Sequence, residues 1–192
     1  DNMEELDAYE NTIIYDCDLG IRIASEEQPE FQLYTSRLGI RYKEIKDFYL
    51  NKIKPNPKFK LKMLHFFINS GIKDNIYYWN ELSKLLKVYV ELKRVCPELD
   101  SLNIGGGWPF RSSLGFEYDY AYMAEEILNK IKQTCEEENV SCPNIFTEFG
   151  SFTVAESGAF IFSVLAEKHQ NDSERWYMID NSLMTTMPDS WG

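Results

Sequence analysis

The hydrophobic positions of the chain follow two periods, and the first is the alternation typical of β-strands. Ile21 and Ile23 alternate with other residues in DLGIRIAS. The run FKLKMLHFFI (59–68) begins with alternation and ends continuously apolar, as in a strand that is buried on both faces. LDSLNI (99–104) and NIFTEF (144–149) are shorter apolar runs of the same kind. The pattern predicts a strand in each of these segments.

Between these strands, apolar residues recur every three or four positions, which predicts amphipathic helices. The first helix is followed by a break at PNP (55–57). The second begins at Asp74, a favourable N-cap residue, and ends before Pro97, and the third begins near Asp119. The apolar faces expected for the three helices are Ile45, Phe48 and Tyr49; Ile76, Trp79, Leu82, Leu86 and Tyr89; and Tyr120, Met123, Ile127 and Ile131.

Strand and helix therefore alternate from Asp18 to about Glu148, which favours parallel β/α units over an antiparallel meander. Four such units are half of an eightfold barrel, which takes about 250 residues. The fold class expected from the pattern is α/β, as a doubly wound sheet or as an incomplete (β/α) barrel. Near the end of the chain the helical period is lost, and TVAESGAFIFSVLAEK and RWYMIDNSLMTT predict further strands of a β-rich segment.

Composition removes several function classes. The chain of 192 residues carries 31 acidic and 20 basic side chains, a formal net charge of −11, which repels nucleic-acid backbones. The first residues, DNMEELDAYE, lack the pattern of a signal peptide, and no run reaches the roughly twenty apolar residues of a membrane span. We therefore expect a cytoplasmic location, no membrane and no nucleic-acid partner. The four cysteines form no CxxC pair, and we expect reduced thiols.

Three predicted strand ends carry residues that suit chemistry, because functional groups of β/α folds collect where strands end. Three consecutive glycines, Gly105–Gly107, follow one strand, and their amides could face a phosphate, although for the glycines alone a flexible turn is the favoured explanation. Glu148 ends another strand among apolar neighbours, so its carboxylate needs a partner. That partner is either a basic residue of a helix or the protonated ring nitrogen of a ligand. His65 alone is typical of a hydrogen-bonded core histidine.

Taken in chain order, these segments resemble the motifs of one enzyme group. LHFFINSG, LNIGGGWP and FTEFGSFTVAESG are similar to the LHxHxGS, GGG and EPGR motifs of pyridoxal-phosphate decarboxylases built on an alanine-racemase-like barrel. That group contains ornithine, diaminopimelate and arginine decarboxylases. TSRLGIR looks like the SKFG stretch of the group, and NSLMTTMPDSWG resembles the SLPDxW segment of its arginine-specific members. The resemblance implies a partial pyridoxal-phosphate-binding (β/α) barrel over residues 1–155 and the start of a C-terminal β domain over 156–192.

The resemblance also assigns roles to individual residues. The amides of Gly105–Gly107 would hold the cofactor phosphate, and Glu148 would pair with the pyridine nitrogen and keep it protonated. Ser70 would contact the phosphate or the cofactor hydroxyl. Asp189 falls near the acidic position that meets the distal amine of the substrate, where a carboxylate can take a guanidinium as a two-pronged pair. The cofactor-binding set expected from the motifs is Phe67, Ser70, Gly105, Gly106, Gly107, Glu148, Gly150 and Ser151, with His65 as a further candidate.

The sequence departs from these motifs at several positions. Phe67 stands at the position of the histidine that stacks on the cofactor ring, while His65 matches the first histidine of LHxHxGS. Asn69 replaces the glycine before Ser70, and Ser151 stands where an arginine would support the phosphate. Phenylalanine can stack but cannot donate a hydrogen bond, and serine supplies no charge. These changes affect the expected cofactor affinity more than the expected fold.

The resemblance places the Schiff-base lysine upstream of everything matched here, so no catalytic residue is assigned. Lys60 and Lys62 lie on a strand, but toward its wrong end. The cysteine-containing segment that a partner subunit contributes would lie beyond Gly192. We expect a central fragment of a longer enzyme, inactive by itself.

The activity implied for the whole protein is conversion of L-arginine to agmatine and carbon dioxide for the biosynthesis of polyamines such as spermidine. The resemblance also implies a homo-oligomer with active sites shared between subunits, and it leaves room for Mg²⁺ as an additional cofactor. Two alternatives stay open at this point. One is a homologue that keeps the fold without catalysis, suggested by Phe67 and Ser151. The other is a phosphate-binding barrel enzyme without pyridoxal phosphate, such as an aldolase, which would need a catalytic lysine within this segment.

Overall fold

A computed structural model of the chain describes residues 3–25, 38–68, 75–111 and 115–186. The chain divides into two compact units, residues 1–155 and residues 156–192, and each is described by itself. No helix in the described part is long and apolar enough to cross a membrane.

The first unit is built of alternating strands and helices. Its elements, in chain order, are α1 (Met3–Glu10), β1 (Cys17–Arg22), α2 (Tyr42–Phe48) with a π-helical continuation over Tyr49–Ile53, β2 (Phe59–His65), α3 (Asn75–Lys93), β3 (Ser101–Asn103), α4 (Tyr120–Glu137), β4 (Asn144–Phe146) and the short α5 (Gly150–Val154). The predicted alternation is confirmed. The sequence pattern did not predict α1, which has no buried residue and therefore no apolar stripe to reveal it.

The four strands form one parallel sheet whose spatial order, β1-β2-β3-β4, is the order of the chain. The helices that follow the strands contact each other in the same sequence, α2 with α3 and α3 with α4. A doubly wound sheet reverses its strand order at a switch point, whereas a barrel wall adds each strand beside the last. The structure is therefore a partial (β/α) barrel, which decides between the two architectures that the pattern allowed.

The core lies between the sheet and its helices, and α3 is its main component. Leu82, Leu86 and Tyr89 are fully buried, as the helical spacing predicts. The prediction is wrong for Ile76, which is 78% exposed, because the buried face of α3 includes Tyr78. At 3.6 residues per turn, residues two positions apart are separated by about 200° around the helix. Ile76 therefore faces the side opposite to Tyr78.

The helix α4 follows its predicted pattern closely. Met123, Ile127 and Ile131 are buried. The side chain of Asp119 accepts a hydrogen bond from the backbone N–H of Tyr122 at 3.0 Å and so caps the helix N-terminus.

The second unit contains an antiparallel hairpin of β5 (Val164–His169) and β6 (Arg175–Ile179), followed by α6 (Leu183–Thr186). The predicted strands are thus confirmed in part. Thr153 and Val154 belong to α5 instead, where the Thr153 hydroxyl donates to the carbonyl of Phe149 at 2.6 Å, one turn earlier. Residues 183–186 are helical because the Ser182 side chain caps the turn by accepting from the N–H of Met184 at 3.3 Å.

Candidate functional site

The carboxyl ends of the strands form one row of side chains. Strand register places Arg22 beside His65 and His65 beside Asn103, each as the last residue of its strand. Neighbours in register on a parallel sheet point to the same face. Phe146, which ends β4, is the register partner of Asn103, and Glu148 follows two residues later. The row therefore brings a guanidinium, an imidazole, an amide and a carboxylate to one edge of the sheet.

The carboxylate of Glu148 is held by this row. The Nδ2 of Asn103 donates a hydrogen bond to its Oε1 at 2.8 Å, and the Nε2 of His65 lies 3.7 Å from the same oxygen. The Glu148 side chain keeps 49% of its surface exposed. From the sequence, a basic residue on a helix was one possible partner of Glu148. The described partners, Asn103 and His65, are instead on neighbouring strand ends. An oriented, half-exposed carboxylate is suited to accept a hydrogen bond from a ligand cation.

Asn103 connects this carboxylate to the glycine loop. Its Oδ1 accepts a hydrogen bond from the N–H of Gly105 at 2.9 Å, while its Nδ2 donates to Glu148. The backbone N–H of Glu148 in turn donates to the carbonyl of Gly105 at 2.9 Å. The loop after β3 and the loop after β4 are thus held together by one side chain and one backbone hydrogen bond.

Each of the three glycines is required by close backbone packing, by a positive φ angle, or by both. Gly105 and Gly107 have φ angles of +70° and +92°. A Cβ atom on Gly105 would lie 2.6 Å from the carbonyl oxygen of Phe66, and one on Gly106 would lie 2.5 Å from that of Glu148. Such contacts leave no room for a methyl group. The loop therefore sits tightly between the ends of β2 and β4, which a flexible turn would not do.

The donors that the loop can offer differ from the three amides expected from sequence. The N–H of Gly105 is already bonded to Asn103. Over the described ranges, no hydrogen bond is found for the N–H of Gly106 or Gly107. These two amides are the ones that could face an anionic group.

Arg22 and Phe67 complete the row. The guanidinium carbon of Arg22 lies 5.4 Å from the centroid of the Phe67 ring, within the range of a cation–π contact. The Nε of Arg22 and the Nε2 of His65 are buried and have no hydrogen-bond partner among the described residues. A buried donor without a partner raises the free energy of the folded state. Such donors therefore suit a site in which a polar ligand supplies the missing acceptor.

The pKa of His65 is lowered from its ordinary value of 6.5 mainly by burial, with Arg22 acting in the same direction and Glu148 opposing both. An unfolded chain therefore binds this proton more tightly than the folded one. The free energy of unfolding is therefore unaffected by His65 titration above pH 6.5. It decreases as the pH falls from 6.5 through the pKa of His65 in the folded state. We expect His65→Gln to remove this part of the pH dependence, measured as the urea midpoint against pH.

The matched control is His169→Gln, which changes the other histidine of the chain, an exposed residue of β5. It should leave the acid limb of the stability profile unchanged. A His65 imidazole proton that titrates above pH 6.5 by NMR would show that burial does not dominate at this position.

An aromatic cluster supports both loops. Trp108, directly after the glycines, packs against Phe149, directly after Glu148, with ring centroids 4.6 Å apart. Tyr120 and Phe152 each lie 5.8 Å from Trp108. The sequence reasoning did not single out this cluster, although an aromatic residue directly follows each candidate motif. The cluster fixes the positions of Glu148 and the glycines relative to each other.

The remaining predicted site residues are outside the row of strand ends or outside the described residues. Gly150 and Ser151 are exposed in the first turn of α5, and a Cβ on Gly150 would meet nothing within 4 Å. Lys60 and Lys62 pair with Asp16 and Asp100 at 3.5 and 3.2 Å, away from the carboxyl end of β2. Ser70 and Asp189, together with Asn69 and the MPDSWG segment, lie outside the described residues.

Sequence reasoning missed Arg22 and Asn103. Asn103 precedes the predicted glycine loop with one residue between them, but its contacts, like those of Arg22, depend on the strand register. Among the residues that the structure describes, no group of three or more His, Cys, Asp and Glu side chains could hold a metal ion. The Mg²⁺ for which the resemblance leaves room has no support among these residues.

Comparison with known proteins identifies the family to which the chain belongs. Residues 1–155 match the family described as pyridoxal-dependent decarboxylase, pyridoxal binding domain. The biosynthetic arginine decarboxylase of Pelobacter propionicus is 33% identical over 124 residues, which are 58% of this chain and 19% of that protein. The enzyme of the same name from Citrifermentans bemidjiense is 31% identical over 142 residues, 67% of this chain and 21% of that protein. The chain thus spans about a fifth of the length of these curated relatives.

Solved structures share the fold. Diaminopimelate decarboxylase of Helicobacter pylori complexed with L-lysine superposes with a TM-score of 0.74 at 22% identity, over 95% of this chain and 46% of that one. Lysine decarboxylase of Selenomonas ruminantium gives a TM-score of 0.72 at 21% identity, over 95% and 46%. The biosynthetic arginine decarboxylase of Campylobacter jejuni gives 0.66 at 22%, over 88% and 28%.

Proposed function

We propose that the strand ends of this chain, which belongs to the pyridoxal-dependent decarboxylase family, hold pyridoxal 5′-phosphate. The family match covers its pyridoxal binding domain. The observation that carries this proposal is the pairing of Glu148 with the glycine loop through Asn103, at 2.8 and 2.9 Å. A phosphate needs amide donors, and a protonated pyridine nitrogen needs a carboxylate. Both are present at one edge of the sheet.

The described residues fit this cofactor. The N–H groups of Gly106 and Gly107 would donate to the phosphate, and the absence of a Cβ on Gly106 keeps the loop against Glu148. The carboxylate of Glu148 would accept the N–H of the ring. Phe67 would lie along the ring face, and the buried Nε of Arg22 would find an acceptor in the bound ligand. Ser70 and the exposed Ser151 are proposed as additional hydroxyl contacts.

Each of these residues contributes to decarboxylation in a specific way. When bound, pyridoxal phosphate supplies an electron sink for the electrons left on the α-carbon after carbon dioxide departs. Glu148 would hold a proton on the ring nitrogen of the bound cofactor, which would increase the capacity of that sink. Asn103 fixes the orientation of the carboxylate, and neutral His65 adds no competing charge beside it. The aromatic cluster around Trp108 packs between the two loops and would hold them in place.

The substrate proposed for the whole protein is L-arginine, giving agmatine and carbon dioxide. The names of the curated relatives support arginine, whereas those of the structural relatives include diaminopimelate and lysine decarboxylases. Asp189 is proposed to pair with the guanidinium of the substrate. Residues 156–192 are proposed to begin a C-terminal β domain, and the protein is proposed to work in the cytoplasm as a homo-oligomer with shared active sites.

The experiment that tests this function uses the full-length protein that contains the chain. With pyridoxal phosphate added, it should develop visible absorbance from covalently bound cofactor and release carbon dioxide from arginine faster than from ornithine, lysine or diaminopimelate. The 192-residue chain alone should release none, because the lysine that binds the cofactor is expected upstream. A full-length protein without absorbance and without carbon dioxide release from any of the four would indicate a non-catalytic homologue.

A further inference from the structure

The imidazole of His65 is largely buried in the row of strand ends, yet its Nε2 has no hydrogen-bond partner among the described residues. Its chain neighbours Leu64 and Phe66 are buried in the core between the sheet and the helices. Successive side chains of a strand point to opposite faces, so the imidazole points to the other face of the sheet, where Glu148 lies. A core histidine, which the sequence alone suggests, would be hydrogen-bonded.

The contact between His65 and Glu148 suits an ion pair better than a hydrogen bond. The Nε2 of His65 lies 3.7 Å from the Oε1 of Glu148. That distance is too long for a hydrogen bond but short enough for attraction between opposite charges. The same oxygen already accepts a hydrogen bond from the Nδ2 of Asn103 at 2.8 Å. Glu148 therefore gains little from a neutral His65, whereas a protonated His65 would give it a counter-charge.

Two charged groups next to His65 act on its protonation in opposite directions. Among the residues that the structure describes, Arg22 faces it from β1 and Glu148 from the loop after β4, while β3 contributes the uncharged Asn103. Burial and the guanidinium of Arg22 lower the pKa of His65, and Glu148 opposes them. His65 is therefore neutral at neutral pH, and it takes up its proton only in more acidic solution.

We propose that His65 is a positioning residue that acts through Glu148, and that its neutral form leaves this carboxylate to the ring nitrogen of the cofactor. The inference rests on the proposed function. When His65 takes up a proton, its cation pairs with Glu148 across the 3.7 Å contact and competes for the carboxylate. The proton on His65 and the bound cofactor therefore oppose each other, and each weakens the binding of the other by the same factor.

This competition predicts a specific pH dependence of cofactor affinity. If bound cofactor excludes the proton of His65, the dissociation constant rises about tenfold for each pH unit below the pKa of His65 in the folded chain. Above pH 6.5 His65 has no effect, because its pKa lies below this value. The phosphate of the cofactor also titrates in acidic solution, so the contribution of His65 has to be separated from that of the ligand.

The test compares the unsubstituted chain with His65→Gln by calorimetric titration with pyridoxamine 5′-phosphate at a series of pH values. Glutamine does not titrate, and its amide can still donate toward Glu148. The ionisation of the ligand is the same in both titrations, so the ratio of the two dissociation constants isolates His65. We expect a constant ratio above pH 6.5 and a rise of about tenfold per pH unit below the pKa of His65. The matched control, His169→Gln, should give a ratio that does not change with pH.

A second measurement needs neither the ligand nor a substitution of His65. NMR of the imidazole protons gives the pKa of His65 directly. Glu148→Gln should lower this pKa, because the carboxylate that attracts the proton is lost. Glu125→Gln, at an exposed position of α4, should leave it unchanged. This comparison keeps the proposal testable even if His65→Gln does not fold.

The outcomes separate this inference from the proposed function. A ratio that stays constant while His65 titrates, or equal His65 pKa values in the unsubstituted chain and in Glu148→Gln, would overturn the inference and leave the proposed function standing. A His65 that stays neutral until the chain unfolds would do the same. The absence of saturable binding above pH 6.5 would instead contradict the proposed function, and the inference would fall with it.

Discussion

Replacing Gly106 with alanine is expected to destabilise the first unit by about 3 kcal/mol and to disturb the position of Glu148. The new Cβ would lie 2.5 Å from the carbonyl oxygen of Glu148 and 3.3 Å from its carbonyl carbon. Both atoms are backbone, so the clash is relieved only if the loops after β3 and β4 move apart. With a urea m-value of about 2 kcal/mol/M, the unfolding midpoint should fall by about 1.5 M.

The matched control is Gly150→Ala, where the added Cβ meets nothing within 4 Å. Gly150 begins α5, and alanine is the better helix former, so stability should stay constant or rise by up to about 1 kcal/mol. Equal urea midpoints for Gly106→Ala and the unsubstituted chain would mean that the two loops are not packed as described.

Replacing Glu148 with glutamine is expected to weaken cofactor binding about 10- to 100-fold while leaving the fold intact. Glutamine can still accept the hydrogen bond from Asn103, which Glu148 accepts at 2.8 Å, so the substitution removes the negative charge and little else. A hydrogen bond to a charged group contributes about 1.5–3 kcal/mol, which corresponds to that loss of affinity. The measurement is a calorimetric titration of the chain with pyridoxamine 5′-phosphate, which lacks the aldehyde that reacts with surface lysines.

Glu125→Gln is the control, because it removes one negative charge from an exposed position of α4. Affinity should remain within about twofold of the unsubstituted chain, since the charge of an exposed side chain is screened by salt. If Glu148→Gln and Glu125→Gln bind the cofactor equally well, Glu148 does not hold the ring nitrogen.

Hydrophobic periodicity predicted the first unit well, because its helices and strands bury one face each. Met123, Ile127 and Ile131 are an example in which helical spacing alone gives the buried residues. The prediction failed where local hydrogen bonds override β propensity, as at Thr153, whose hydroxyl bonds one turn back within α5. It also failed at Ile76, since spacing gives a helical face but not which neighbouring stripe contacts the sheet.

The candidate site was predictable in its motifs but not in its connections. The glycines and Glu148 were identified from sequence, whereas Asn103, which joins them, was not. Its role depends on strand register, which brings the ends of β2, β3 and β4 side by side and cannot be read from local pattern.

The most direct test of the central claim, that the strand ends form the phosphate and ring-nitrogen part of a pyridoxal-phosphate site, compares two ligands on the unsubstituted chain. We expect saturable calorimetric binding of pyridoxamine 5′-phosphate, at least about tenfold tighter than that of pyridoxamine, because only the former can bond the amides of Gly106 and Gly107. Equal affinity for the two ligands, or no saturable binding of the phosphorylated one, would contradict the claim.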